Sequence, residues 1–368
     1  MLAFCSNDYL GLAAHPRVIA ALREGADLYG AGSGASHLVS GHSRAHARLE
    51  ERLAAMQAQH LADARALYFC TGYMANLAVL TSLGTADATL FCETLNHASL
   101  IDGIRLARVP FERYPHCDVS ALEAQLQASP ARYKLVVTDS VFSMDGDLGP
   151  LPALCELAEE FGCIMMVDDA HASGVFGANG RGTVDHFGVH GRVDIQVGTL
   201  SKAIGVLGGY VAGSKSLIEF LYHRARPFLF STSHPPAVTA ACLAALDVLE
   251  TEPQWIERLW DNTRFFKAGL ERLGFNTGLS ESPITPVIVG EGSRARRRFE
   301  KAFDEFRSLF PIALCYPRIV PVDEVVTLTL HYREDDQLRR LMLDDTQAAT
   351  LDRLWTELRF VSHEPLKL

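Results

Sequence analysis

Short apolar runs alternate with helical patterns between about residue 44 and residue 250, and this alternation strongly restricts the possible folds. The runs are continuously apolar, which is typical of parallel strands that helices cover on both faces. Four runs are predicted as strands, at residues 66–70, 88–92, 134–138 and 163–167. Helices are predicted at residues 44–58, 72–83, 121–128 and 152–161. The sequence therefore predicts an α/β fold around a mostly parallel central sheet.

Ligands of such sheets bind beyond the carboxyl ends of the strands, where several polar residues of this chain follow apolar runs. In Gly198-Thr-Leu-Ser-Lys202-Ala-Ile-Gly205, a lysine lies among small residues just after such a run. Small neighbours let a bulky aldehyde approach the amine closely, so Lys202 is predicted to bind a carbonyl cofactor covalently. Together with Asp168 and His171, which follow another run, Lys202 predicts pyridoxal phosphate (PLP) chemistry.

Further side chains suit parts of the same cofactor. The carboxylate of Asp168 suits the pyridine nitrogen, and it is preferred to Asp169 because it follows the apolar run directly. His97 could stack on the ring, although a lone histidine is more often an ordinary surface or core residue. The backbone N–H groups of Thr71-Gly72-Tyr73 lie at a predicted strand-to-helix turn, where phosphate is attracted. The hydroxyl groups of residues 231–233 suit the same anion.

Composition excludes several classes of protein. A net charge of -10 argues against a nucleic-acid partner, which calls for a basic face. No apolar run approaches the ~18 residues of a membrane helix, and the first residues lack a signal-peptide pattern, so a cytoplasmic location without membrane contact is predicted. The eight cysteines and 14 histidines show no metal-ligand spacing, so no metal site is predicted. The glycine-rich residues 30–34 follow no strand and are predicted to close over substrate rather than to bind a dinucleotide.

The pattern of the sequence changes near residue 250, and the chain length suits about two domains. Residues 1–250 are predicted to form a large PLP-binding domain, in which residues 1–43 are an N-terminal arm and substrate loop. Residues 251–368 are predicted to form a smaller α+β domain.

A series of short motifs runs from residue 6 to about residue 250. They are Ser6-Asn7-Asp-Tyr-Leu-Gly-Leu12, Leu38-Val-Ser40-Gly41, Asn96-His97-Ala-Ser99, Val141-Phe-Ser143-Met-Asp-Gly146, Val167-Asp168-Asp-Ala-His171, Thr199-Leu-Ser-Lys202 and Phe230-Ser-Thr232-Ser. In kind and order they resemble the α-oxoamine synthase family of fold-type I PLP-dependent transferases. The resemblance implies the same α/β fold with a smaller C-terminal α+β domain.

The resemblance also implies a role for each matching residue. Lys202 would bind PLP covalently and exchange protons at the substrate α-carbon, His97 would stack on the ring, and Asp168 would pair with the ring nitrogen. The other implied roles are hydrogen bonds near the ring hydroxyl (His171, Ser143), phosphate binding (Gly72, Tyr73, Thr199, and Thr232 of a second subunit) and substrate binding (Asn7, Ser40). Such a cross-subunit site implies a homodimer.

The implied reaction condenses an amino acid with an acyl-CoA or acyl carrier protein thioester and releases CO₂ and the thiol. L-Alanine with a pimeloyl thioester, as in biotin biosynthesis, is favoured; glycine with acetyl-CoA, or both reactions, is the alternative. The family also has an Arg-x-Arg motif that holds the substrate carboxylate, where this sequence has Asp323-Glu324-Val325. A PLP-binding protein with impaired condensation activity is therefore a further alternative, because a bidentate carboxylate anchor is replaced.

Overall fold

Nine strands lie in the part of the chain that the computed structural model describes, which is residues 2–3, 6–57, 61, 63–272, 274–288 and 331–332. They are β1 (Leu2–Ala3), β2 (Arg65–Phe69), β3 (Ala88–Glu93), β4 (Phe111–Tyr114), β5 (Tyr133–Asp139), β6 (Ile164–Asp168), β7 (Ile195–Thr199), β8 (Gly209–Gly213) and β9 (His331–Tyr332). Seven of them form one sheet, in the order β2-β8-β7-β6-β5-β3-β4. Strand β8 is antiparallel to both of its neighbours, and the other pairs are parallel. The predicted α/β fold with a mostly parallel sheet is confirmed.

Helices follow most of the strands, as the alternating sequence pattern predicts. They are α1 (Pro16–Tyr29), α2 (Arg44–Gln57), α3 (Gly72–Leu83), α4 (Ala98–Ala107), α5 (Val119–Ala128), α6 (Leu151–Glu160), α7 (Thr183–His186), α8 (Lys215–Arg224), α9 (Arg226–Leu229), α10 (Pro236–Thr251) and α11 (Gln254–Arg272). A short π-helix spans His37–Gly41. No helix among the described residues is both long and apolar enough to cross a membrane.

The central strands send side chains to both faces of the sheet, and each face has its own apolar core. Helices α3, α4, α8 and α9 contribute to one core and helices α5 and α6 to the other. Each fully buried Leu, Val or Phe in such a core contributes about 1.5–3 kcal/mol. Neighbouring residues of one strand therefore belong to different cores. Leu90, Leu135 and Met166 lie in the first core, and the adjacent Phe91, Val136 and Met165 lie in the second.

Three polar side chains end adjacent strands at one edge of the sheet. Asp139 is the last residue of β5, Asp168 of β6 and Thr199 of β7. Asp139 and Asp168 are direct partners in the parallel register, and Asp168 pairs with Val197 of β7. The sheet therefore brings together residues that are distant in sequence, at the edge where ligands of such folds bind.

The chain divides into two compact units. The larger unit contains residues 7–142 and 149–256, including the seven-stranded sheet. The smaller unit contains residues 1–6, 143–148 and 257–368; within it β1 pairs with β9, and the Gly146 carbonyl accepts hydrogen bonds from the backbone of Glu281 and Ser282. The predicted domain boundary at residue 250 stays a prediction. The motif position Asp323-Glu324-Val325 lies outside the described residues.

We expect Gly209→Ala to destabilise the protein. A Cβ atom at this position would lie 2.5 Å from Gly72 Cα and 2.5 Å from the carbonyl carbon of Thr71, so the start of α3 must shift. Overpacking of this kind costs about 1–3 kcal/mol, which thermal unfolding detects as a lower midpoint. Gly32→Ala is the matched control, because its Cβ would meet nothing within 4 Å. Equal unfolding midpoints for the two variants would contradict the expectation.

Candidate active site

The carboxylate of Asp168 is held in a fixed orientation at the end of β6. Its side chain is 5% exposed. One oxygen accepts the backbone N–H of Ala170 at 2.9 Å, and the other accepts the side-chain amide of Asn76 at 2.6 Å. A buried carboxylate needs such donors, because leaving it unpaired costs several kcal/mol.

Asn76 also connects Asp168 to His97. Its Nδ2 group donates to Ser99 Oγ at 2.9 Å, and Ser99 Oγ lies 2.7 Å from His97 Nδ1. The Nδ1 atom of His97 further accepts the Ser99 backbone N–H at 3.2 Å, which caps α4. These bonds fix the ring orientation, while the imidazole itself is exposed and able to receive a flat ligand. Neither Asn76 nor Ser99 was predicted as a site residue, because neither is a titratable group at a strand end, although Ser99 lies in the motif Asn96-His97-Ala-Ser99.

Asp139 is a second buried carboxyl group beside Asp168. Burial, and then the negative charge of Asp168, raise its pKa well above the usual range, although the His97 N–H and Lys202 oppose this shift. The His97 backbone N–H donates to Asp139 Oδ2 at 2.6 Å. Asp139 was not predicted as a site residue, although it follows the predicted strand 134–138 directly, as Asp168 follows the strand 163–167.

Lys202 lies three residues beyond the end of β7 and is partly buried. Burial lowers its pKa, while the charges of Asp168 and Asp139 act in the opposite direction. A lysine with a lowered pKa is more often neutral, and the neutral amine is the nucleophilic form. The structure therefore places the predicted nucleophile within the electrostatic influence of both strand-end carboxyl groups.

His171 follows β6 and forms a hydrogen bond with Tyr9, whose OH lies 2.6 Å from His171 Nδ1. Burial lowers the pKa of His171 well below its usual range, and electrostatic interactions with Lys202 and His97 act in the same direction. Burial also raises the pKa of Tyr9, so its hydroxyl keeps its proton and can donate it to Nδ1. A neutral His171 then carries its own proton on Nε2, available to a ligand. Tyr9 was not predicted as a site residue, although it lies in the first motif.

The turn between β2 and α3 has the geometry of an anion site. Thr71 caps α3 by accepting the Met74 N–H at 3.1 Å, and Gly72 and Tyr73 are the first helical residues. First-turn N–H groups have no partner within their own helix. A Cβ on Gly72 would lie 3.6 Å from Thr199 Oγ1, which places the predicted phosphate-binding Thr199 beside the turn. The Tyr73 hydroxyl donates to Asp102 at 2.7 Å, so its backbone is the part suited to phosphate.

Four other predicted site residues are exposed at the surface, namely Thr232, Asn7, Ser40 and Ser143. The Thr232 side chain is exposed, and its carbonyl accepts a hydrogen bond from Cys70 Sγ at 3.4 Å, next to the turn. Asn7 and Ser40 are exposed, and Ser40 lies in the π-helix. Ser143 is exposed and belongs to the smaller unit. The roles of these four residues stay predictions.

Comparison with known proteins identifies the relatives of this sequence. Residues 1–313 match the family aminotransferase class I and II. The chain is similar to 8-amino-7-oxononanoate synthase of Cupriavidus pinatubonensis, with 56% identity over 80% of this chain and 73% of the relative. It is also 51% identical to 8-amino-7-oxononanoate synthase of Cupriavidus necator, over 96% of this chain and 88% of that relative. With 8-amino-7-oxononanoate synthase 1 of Bacillus subtilis it shares 49% identity, over 87% of this chain and 80% of that relative.

Solved structures show the same fold. The Sphingomonas wittichii serine palmitoyltransferase superposes with a TM-score of 0.79 at 28% identity, covering 95% of this chain and 85% of its own. A variant of the serine palmitoyltransferase of S. paucimobilis, solved with a bound PLP–myriocin aldimine, superposes with a TM-score of 0.80 at 29% identity and the same coverage. The 8-amino-7-oxononanoate synthase of Francisella tularensis superposes with a TM-score of 0.73 at 27% identity, covering 96% of this chain and 97% of its own.

We expect Asp139→Asn to stabilise the apoprotein increasingly as the pH rises. The folded-state pKa of Asp139 is raised above its unfolded value of about 3.9, so wild type loses stability as pH rises through this interval. Asparagine removes that loss and keeps an oxygen to accept the His97 N–H. Thermal unfolding between about pH 4 and pH 8 measures the difference between variant and wild type.

Asp118→Asn is the control with the opposite sign. A backbone N–H of Ala121 lowers the pKa of Asp118, so its contribution is present above the unfolded pKa and is lost as the pH falls. At neutral pH, Asp118→Asn should therefore be slightly less stable than wild type, and this difference should disappear as the pH falls. If the Asp139→Asn difference does not depend on pH, the interpretation of Asp139 is wrong.

Proposed function

Because the chain belongs to the aminotransferase class I and II family, we propose that it is a PLP-dependent acyltransferase that condenses an amino acid with an acyl thioester. The observation that carries this proposal is the meeting of Lys202, Asp168 and His171 at one edge of the sheet, beside the open turn that precedes α3. That set of groups matches the parts of PLP. The cofactor has an aldehyde, a pyridine nitrogen, a ring hydroxyl and a phosphate.

The described residues fit PLP at each of these parts. The oriented carboxylate of Asp168 suits the protonated ring nitrogen, and the exposed imidazole of His97 suits the ring face. The first N–H groups of α3, with Thr199, suit the phosphate. Lys202 provides the amine that binds the aldehyde. When bound, PLP supplies a ring that accepts electrons from the substrate α-carbon.

The protein then controls where protons are held. Asp168 keeps the proton on the ring nitrogen, and Asn76 prevents its carboxylate from rotating away. Lys202, with its lowered pKa, takes the proton from the substrate α-carbon. His171, neutral because of burial and oriented by Tyr9, donates from Nε2 to the ring hydroxyl region.

The relatives support one choice of substrates. The name 8-amino-7-oxononanoate describes a nine-carbon chain with a ketone at carbon seven and an amine at carbon eight. A seven-carbon pimeloyl group joined to alanine, with loss of the alanine carboxylate as CO₂, gives that skeleton. We therefore favour L-alanine with a pimeloyl thioester over glycine with acetyl-CoA. Either CoA or an acyl carrier protein could carry the pimeloyl group.

Two further parts of the proposal concern assembly and location. A homodimer would let the exposed Thr232 of one subunit reach the phosphate site of the other. The cytoplasm is the proposed location. Impaired condensation stays an alternative, because Asp323-Glu324-Val325 occupies the position of the family's carboxylate-binding motif.

We expect borohydride reduction of the PLP-loaded protein to attach the cofactor to the peptide that contains Lys202. Lys202→Ala should lose this attachment and the associated visible absorbance. Lys215→Ala is the control, because Lys215 is an exposed lysine at the start of α8. Peptide mass spectrometry locates the modification. Attachment to another lysine, or no attachment at all, would sink the assignment of Lys202.

CoA release tests the substrates. With L-alanine and pimeloyl-CoA we expect kcat/KM to exceed that with glycine and acetyl-CoA, since the relatives make the nine-carbon product. The reverse order would favour the glycine reaction. If the protein binds PLP at Lys202 but releases CoA with neither pair, nor thiol from a pimeloyl carrier protein, the proposal of an active condensing enzyme fails.

A further inference from the structure

Two histidines and a glutamate form a cluster that none of the roles proposed for PLP uses. His37 begins the π-helix, His42 follows it, and Glu50 lies in α2. The Nδ1 atoms of His37 and His42 are 3.0 Å apart, and His42 Nε2 lies 3.6 Å from Glu50 Oε2. One potential ligand atom from each of the three residues lies within 4.8 Å of the others. His42 would offer one of its two nitrogens to an ion shared with His37 and Glu50. Zinc binds such atoms at about 2.0–2.2 Å, so small side-chain shifts would bring the three ligand atoms to one ion.

The neighbouring histidines are occupied by other contacts. His46 Nδ1 accepts the Ser43 N–H at 3.0 Å, and its Nε2 lies 3.0 Å from the carbonyl of His234. His234 Nε2 lies 3.0 Å from the Cys70 carbonyl. The ring of His37 stacks on Phe228 with centroids 4.4 Å apart, which fixes its plane. The cluster is therefore limited to His37, His42 and Glu50, and the direction of at least one ligand is set by packing.

We propose that His37, His42 and Glu50 bind one divalent transition-metal ion of the zinc type, with water completing the coordination. Two imidazoles and a carboxylate are a ligand set that zinc uses. The ion would join the π-helix that carries Ser40 to α2, and so hold the predicted substrate loop in place. This proposal revises the prediction of no metal site, which considered only the spacings of known motifs. It is independent of the proposed reaction.

The experiment titrates Zn²⁺ into chelator-treated, PLP-loaded full-length protein and measures binding by calorimetry and metal analysis. We expect one ion per chain. His42→Ala and Glu50→Gln should each weaken binding by more than about ten-fold, because even loss of a residue that only hydrogen-bonds a metal ligand costs about 10–100-fold. Glutamine keeps an oxygen to accept the Tyr68 N–H, so Glu50→Gln should fold. His223→Ala, at an exposed histidine in α8, is the control and should bind as wild type does.

Two results would overturn the proposal. One is wild-type protein that takes up no Zn²⁺, and the other is uptake that His42→Ala and Glu50→Gln leave unchanged, as cysteine binding would. If both variants fail to fold, the Co²⁺ spectrum of the wild type decides. Visible absorption of a low-coordinate nitrogen and oxygen site supports the proposal, whereas a thiolate charge-transfer band or no visible absorption contradicts it.

Discussion

The buried carboxylate of Asp168 is the group on which the rest of the candidate site depends. A charge in this position is stable only if its oxygens accept hydrogen bonds, and Asn76 and Ala170 provide them. Asn76 belongs to α3, the helix whose first N–H groups are proposed to bind phosphate, and its second bond leads through Ser99 to His97, the N-cap of α4. A single amide thus connects the groups suited to the ring nitrogen and the ring face.

Burial also determines the charges around Asp168. Asp139 lies beside it in the register of β5 and β6, and its raised pKa favours the neutral form. The lowered pKa values of Lys202 and His171 favour a neutral amine and a neutral imidazole. The protein therefore presents a base and a hydrogen-bond donor without collecting positive charges that would repel each other.

The same effect acts in the histidine cluster near the π-helix. There burial keeps the imidazoles neutral and places them next to a carboxyl group with a raised pKa. At the sheet edge, hydrogen-bond donors from the protein compensate the buried carboxylate. In the histidine cluster, the Tyr68 backbone N–H donates to Glu50, and the His42 ring lies beside the same carboxyl group.

The sequence by itself predicted four strands of the central sheet, the turn before α3 as a phosphate site, and Lys202, Asp168 and His171 as groups that follow apolar runs. It could do so because continuous apolar runs mark buried parallel strands, and the residue that follows such a run lies at the ligand-binding edge. Only the tertiary structure decided which side chains support them. Asn76 and Asp168 are 92 residues apart in sequence, and Tyr9 and His171 are 162 apart. Such partners are selected by packing between elements, and no local pattern of residues records that packing.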